Sequence, residues 1–232
     1  MDGTEVRKLT QVEDRHWWYR ERRHLLARAL QGLDPGTALD VGAAGGGNTR
    51  VLCEAGWRAC ALEYGPEGAG VCRERGLPVL RADATRLPVA PGSLDLVVAY
   101  DVLEHLVDDA AAAEGIFRAL RPGGTFLVAV PCDPALFSDH DVAVGHVRRY
   151  TRPELLDLLT GAGFGIEEVK SWMVLLRPVV KLRRRSSQGS DLQESTPVVN
   201  AALWAVVAAE RYLPLGRLPG VSLLVRARRP AG

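Results

Sequence analysis

Lysine is nearly missing from this chain: three residues, at positions 8, 170 and 181, stand among 29 basic side chains that are otherwise arginine. The 28 acidic residues leave a net charge of +1, so the whole-chain balance gives no basic footprint for nucleic acid. Cysteine is scarce as well. Cys53, Cys60, Cys72 and Cys132 lack C-x-x-C spacing, which argues against a zinc site or a disulfide framework and for buried, reduced thiols. No apolar run is long enough to span a bilayer, and MDGTEVRKLTQVEDRHWW at the start carries charges where a secretory leader needs an apolar core. A cytoplasmic protein without a transmembrane segment is expected.

What the chain does have is alternation. At 232 residues and 47% hydrophobic, it is large enough for one domain with an appended cap. Apolar runs that read as buried strands cover 37–41, 58–63, 78–81, 94–100, 125–130 and 165–170, with a last one over 221–226 expected at the sheet edge. Helical patterns fill the gaps at 11–30, 48–54, 66–75, 101–120 and 152–161, the RPGG at 121–124 ends one of them, and Pro153 sits in the first turn of another. Strands alternating with helices predict an α/β fold, a doubly wound, Rossmann-like and mostly parallel seven-stranded sheet. In such sheets ligands gather beyond the carboxyl ends of the strands.

The stretch ALDVGAAGGGNTRVL at 38–52 places Gly42, Gly45, Gly46 and Gly47 directly after an apolar run. A dinucleotide site wants G-x-G-x-x-G around a pyrophosphate, and this spacing differs. Asp40 just before the turn would repel a diphosphate and attract an ammonium or sulfonium group. An NAD-dependent oxidoreductase is therefore disfavoured. S-adenosylmethionine has both cationic groups and no phosphate, and Glu63, at the end of the next strand, suits its ribose hydroxyls. The bland alternative is a tight strand-to-helix turn.

From about Trp17 to Val169 the sequence resembles the class I S-adenosylmethionine-dependent methyltransferases. LDVGAAGGG resembles their first motif, ALEYG (61–65) the acidic end of the second strand, and RADATRLP (81–88) the adenine-contacting loop. LDLVVAYDVLEHL (94–106) and LRPGGTFLVAVP (120–131) resemble the fourth and fifth strands. The resemblance implies that Asp40, Gly42, Ala43 and Ala44 lie near the methionine part and Glu63 on the ribose. It implies Tyr64 beside the adenine, Asp83 and Ala84 at its edge, and Tyr100 near the methionine tail. Ala44 departs from the family pattern, which more often has a glycine there.

Within that class the chain is similar to the O-methyltransferases of ubiquinone biosynthesis. HWWYRERRHLL (16–26) resembles their first helix, which implies Arg22, or its neighbour Arg23, on the methionyl carboxylate; Trp17 and Trp18 equally read as aromatics packing on the sheet. GHVRRYTRPELLDLLTGAGF (145–164) resembles the segment after their fifth strand. In those enzymes an E-x-x-E-H run binds a divalent ion, and Asp101, Glu104 and His105 occupy the matching positions. An oxygen-rich set of that kind suits magnesium. The preferred reading here is capping, with Asp101 as N-cap and Glu104 completing a capping box, so no metal is expected.

Of five histidines, His105 and His146 fall in loops after strands four and five and are the candidate catalytic bases, although a histidine beside Asp141 or Arg148 equally reads as a loop organiser. Alignment of acceptor, methyl carbon and sulfur supplies much of the rate in such a displacement, so a dedicated base is not obligatory.

The segment 181–197 is polar and unpatterned and reads as a mobile linker. Residues 198–209 form a helix apolar almost all round, too short for a membrane span. Four regions are expected: an N-terminal helical lid (1–35), a cofactor-binding core (36–172), a substrate cap (173–219), and a final edge strand with its tail (220–232). The cap could equally hold the acceptor, seal a homodimer through the apolar helix, or face lipid. The expected activity is methylation of a small-molecule acceptor, first an oxygen of an aromatic, sugar or prenyl-type metabolite. Nitrogen or carbon acceptors and a non-catalytic cofactor-binding scaffold are the alternatives.

Overall fold

The computed structural model describes residues 3–184 and 196–231. Helices α1 (Gly3–Val12) and α2 (Trp17–Ala29) precede β1 (Thr37–Val41), α3 (Gly47–Glu54), β2 (Arg58–Glu63), α4 (Pro66–Glu74), β3 (Val79–Arg81) and β4 (Leu94–Tyr100). There follow α5 (Asp109–Ala119), β5 (Leu120–Pro131), α6 (Asp139–Val144), α7 (Arg152–Gly161), β6 (Gly165–Trp172), α8 (Arg177–Arg183), α9 (Pro197–Ala209) and β7 (Ser222–Arg228). The strands make one seven-stranded sheet in the order β3-β2-β1-β4-β5-β7-β6. It is parallel except for β7, which runs antiparallel to both of its neighbours.

Alternation along the central strands builds two apolar layers. From β4, Val97 and Ala99 join Phe126, Val128, Ile116, Leu155 and Leu159 under α5 and α7. Leu96, Val98 and Tyr100 face the other way, onto Leu26 and Leu30 of α2 and Leu52 of α3. A strand buried on both faces has no polar alternation to show, which is why these segments read as continuous apolar runs. The strand order reverses between β1 and β4, and the loops that carry the chemistry emerge there.

Four expectations are corrected. The helix foreseen over 11–30 is two helices. Glu13 turns inward against Arg75 at 2.6 Å, and His16 caps α2 by accepting from the Trp18 amide at 3.3 Å. The helix foreseen over 101–120 starts at Asp109, behind an Asp108 cap that accepts from the Ala111 amide. Between β4 and that cap lies only a 3-10 turn, Leu103–His105, and Asp101 adopts φ +58°, from which no helix can start. The capping role for Asp101 and Glu104 therefore fails. β5 begins at Leu120 and so includes the RPGG stretch. The last strand sits between β5 and β6 instead of at the edge, which leaves β6 exposed there. Helices α6 and α8 were not foreseen, and most of the proposed linker, 185–195, lies outside the described residues.

Candidate functional site

The chain leaves β1 through a turn in which the Gly42 and Ala43 amides both donate to the Leu62 carbonyl, at 2.8 and 3.1 Å. Gly42 has φ +69°, and a Cβ there would stand 2.5 Å from Cγ2 of Val102. Only glycine fits both conditions. Ala44 also takes a left-handed conformation, φ +47°, with a side chain that disfavours it. It is held there by Glu63, whose Oε2 accepts from the Ala44 amide at 2.7 Å while Oε1 accepts from the Gly65 amide at 2.8 Å. The acid expected on the ribose is thus already aimed across the mouth of the glycine turn.

Asp40 lies just beneath that turn, 1% exposed. Its Oδ2 accepts from the Thr49 hydroxyl at 2.6 Å, while Oδ1 has no hydrogen-bond partner among the described residues. Burial pushes its carboxyl up to about 7, only partly opposed by the Thr49 bonds. At the far side of the crevice Tyr64 projects into solvent. Asp83 closes its own turn on the Thr85 amide and hydroxyl, both at 2.8 Å, and these bonds hold its carboxyl below the usual range. Ala84 is buried beside it.

Arg22 is 3% exposed. Its guanidinium sits among the rings of Tyr100, Trp18 and Trp172, 4.9, 5.0 and 5.3 Å from their centroids, and pairs with Asp101. Nε and Nη1 find no partner among the described residues, so two donors remain for a carboxylate. Arg23 is spoken for by the Glu13 carbonyl at 2.8 Å and Asp14 at 3.2 Å. Of the two arginines, Arg22 is the one beside Tyr100. Burial drives the Tyr100 hydroxyl up to about 12, so the ring is neutral.

The third group stands beyond β4 and β5. His105 and His146 meet edge to face with centroids 4.7 Å apart. His105 Nδ1 lies 3.0 Å from the Gly145 carbonyl and His146 Nδ1 lies 2.8 Å from Asp141 Oδ1. Because both of those partners accept, each Nδ1 donates, and Nε2 is the nitrogen left on each ring for a further contact. Burial, and then His146, lower the pKa of His105. Asp141 is itself buried and is also bonded by Arg149 and by Arg184 beyond the end of α8. Despite burial, the bonds from His146 and Arg149 hold its carboxyl far below the ordinary range.

Glu104 is fully buried, with His146 Nε2 3.7 Å from its Oε1, and neither carboxyl oxygen has a hydrogen bond among the described residues. Burial, and then Asp101, drive its carboxyl well above the usual range. One ligand atom from each of Glu104, His105 and His146 lies within 4.8 Å of the others. The magnesium set implied by the resemblance does not form, because Asp101 is turned onto Arg22 and only one carboxylate remains. The donors present fit a dication that accepts nitrogen ligands. Trp172 was missed from sequence, and Asp141 was named only as a neighbour that organises the loop around a histidine. Trp172 ends the edge strand β6 and belongs to no spacing pattern.

Residues 39–128 match the family model described as a methyltransferase domain. A probable S-adenosylmethionine-dependent methyltransferase of Mycolicibacterium smegmatis is 28% identical over 169 residues, 71% of this chain and 66% of that protein. A ubiquinone biosynthesis O-methyltransferase of a Methylobacterium species is 34% identical over 128 residues, 53% of this chain and 50% of that one. The chain thus spans less than two thirds of the length of either relative. A solved S-adenosylmethionine-dependent methyltransferase of Mesorhizobium loti shares the fold, with a TM-score of 0.65 at 20% identity over 94% of this chain and 100% of that one. Residues 39–128 are thus similar to a methyltransferase domain, and the fold is one that solved methyltransferases share. S-adenosylmethionine is the cofactor named for the Mycolicibacterium relative, and among the described residues no helix of this chain is long and apolar enough to cross a membrane.

Proposed function

We propose that the chain methylates an oxygen of a small aromatic, sugar or prenyl-type acceptor. The observation that carries this reading is the pair His105 and His146, rings 4.7 Å apart, each with Nδ1 engaged, beyond the carboxyl ends of β4 and β5. Asp40 and the backbone of Gly42, Ala43 and Ala44 attend the methionine part, Arg22 its carboxylate, and Tyr100 its tail. Glu63 takes the ribose; Tyr64, Asp83 and Ala84 border the adenine. An acceptor oxygen attacks the methyl carbon, the S–C electron pair returns to sulfur, and S-adenosylhomocysteine leaves. The hydroxyl proton must leave as the C–O bond forms, and in this reading one of the two imidazoles receives it.

Segment 173–219 would cap the acceptor. Of α9, Val207 is buried while Val198, Ala201, Ala202 and Ala205 are exposed, so the outer face of the helix is also free to pair with a second copy. The four cysteines, all unpaired, suit a cytoplasmic setting. The test is transfer of a labelled methyl group from S-adenosylmethionine to a panel of catechols, phenols and sugars. H105A and H146A should each lower kcat by roughly a hundredfold or more with cofactor affinity unchanged. Undiminished transfer in both variants would sink the reading.

A further inference from the structure

We infer that Glu104, His105 and His146 form a two-histidine, one-carboxylate site for a transition-metal dication, with His146 and not Asp101 as the third ligand. This deepens the proposed methyl transfer and rests on that reading for its catalytic meaning, with the two imidazoles as ligands in place of proton acceptors, while metal binding itself is measurable without an acceptor.

Four features converge. First, the donors come from two separate segments, the 3-10 turn after β4 and the loop after α6, and still bring one ligand atom each to within 4.8 Å of one another. Ligands about 2.1 Å from one ion stand roughly 3.3 Å apart, so a closure on the order of 1 Å completes the site. Second, Glu104 is 0% exposed with two unpartnered oxygens among the described residues. A buried carboxyl without a donor is costly, and a cation at that point supplies the missing partner. Third, both imidazoles are oriented from behind. The Gly145 carbonyl holds His105 Nδ1 and Asp141 holds His146 Nδ1, and Asp141 is fixed in turn by Arg149 Nε at 2.8 Å, by Arg184 at 2.7 Å and by the Ser138 amide at 3.0 Å. Carboxylate or carbonyl behind histidine is the arrangement that metal-ligating imidazoles use. Fourth, Asp101 has left the set: its backbone is left-handed and its carboxylate is paired with Arg22. What remains is two nitrogens and one carboxylate, which select manganese, iron(II) or zinc over magnesium. Bound there, the ion would supply positive charge beside an acceptor hydroxyl and lower its pKa.

The experiment titrates MnCl2 into the EDTA-stripped full chain by calorimetry and records pulsed EPR of the manganese-loaded protein. One site per chain is expected, with nitrogen modulation from two imidazoles and with magnesium binding far more weakly. E104Q and H146A should each weaken manganese at least tenfold, while D101N leaves it within about threefold. Circular dichroism melts verify that each variant folds. Should a variant fail to fold, the nitrogen modulation of the wild-type chain decides alone. No manganese binding, an all-oxygen EPR signature, tighter magnesium, or an H146A chain that binds like wild type overturns the inference. So does equal loss in D101N and H146A, which would restore Asp101 as a ligand. Methyl transfer without metal binding would overturn the ion and leave the transfer standing; absent transfer with intact metal binding would do the reverse.

Discussion

Asp40→Asn separates two demands placed on one carboxyl. In the folded chain it titrates near about 7, against 3.8 for the ordinary group. Below about pH 4 it is protonated in both folded and unfolded chains. Between about 4 and 7 the folded chain keeps the proton that the unfolded chain releases, so stability falls as pH rises, by about 1.4 kcal/mol per pH unit and about 4 kcal/mol in all. Above 7 the loss is complete. The D40N variant has no such slope. Its carbonyl can accept the Thr49 hydroxyl, but its amide then occupies the place of the unpartnered Oδ1, at a cost of about 1–3 kcal/mol. The two stability curves should cross, with wild type ahead at pH 5 and the variant level or ahead at pH 8. Urea denaturation at both pH values measures this, with an expected relative change of about 2–3 kcal/mol. Cofactor affinity should move the opposite way: rising to pH 7 in wild type, where the ionised carboxylate meets a cation, and flat and roughly ten- to a hundredfold weaker in D40N at pH 8. A wild-type-minus-variant difference that does not change with pH would refute the account of this carboxyl.

Ala44→Gly should raise the melting temperature by about 2–3 °C, since a left-handed alanine is worth about 0.5–1 kcal/mol less than glycine there, and a lower melting point in calorimetry would contradict it. Glu63→Ala removes the acceptor shared by the Ala44 and Gly65 amides and should weaken S-adenosylhomocysteine roughly ten- to a hundredfold by titration calorimetry; unchanged affinity would remove Glu63 from the ribose. Val207→Asp should cost several kcal/mol because the site is fully buried, while Ala205→Asp, on the exposed face of α9, should stay within about 0.5 kcal/mol and instead turn any dimer sealed by that face into monomer on sedimentation.

The cofactor half was open to reading because its determinants are local. A glycine turn after a buried strand, an acid at the end of the next strand and an apolar run of period one are each written within a few residues, and the structure keeps Asp40, Gly42 and Glu63 where that spacing puts them. The acceptor half was not. The same D-x-x-E-H spacing that suggests a capping box is bent into a 3-10 turn by the left-handed Asp101, and what holds Asp101 so is an arginine 79 positions away in sequence. His146 likewise meets Glu104 only through the fold. The all-round apolar pattern of α9 concealed which face was buried, because alanine and valine occupy both sides.

Arg184 follows α8 and donates to the same carboxylate that steadies His146. With α8 in the proposed cap and His146 in the proposed site, shape selection and chemistry would share one anchor. A substitution that tilts α8 to admit a bulkier acceptor pulls on Asp141, and through it turns an imidazole on the opposite side of the loop. Variants evolved for new acceptors by changes in α8 would accordingly be expected to arrive with compensating changes near Ser138, Asp141 or Arg149, and changes confined to α9 would be spared that debt.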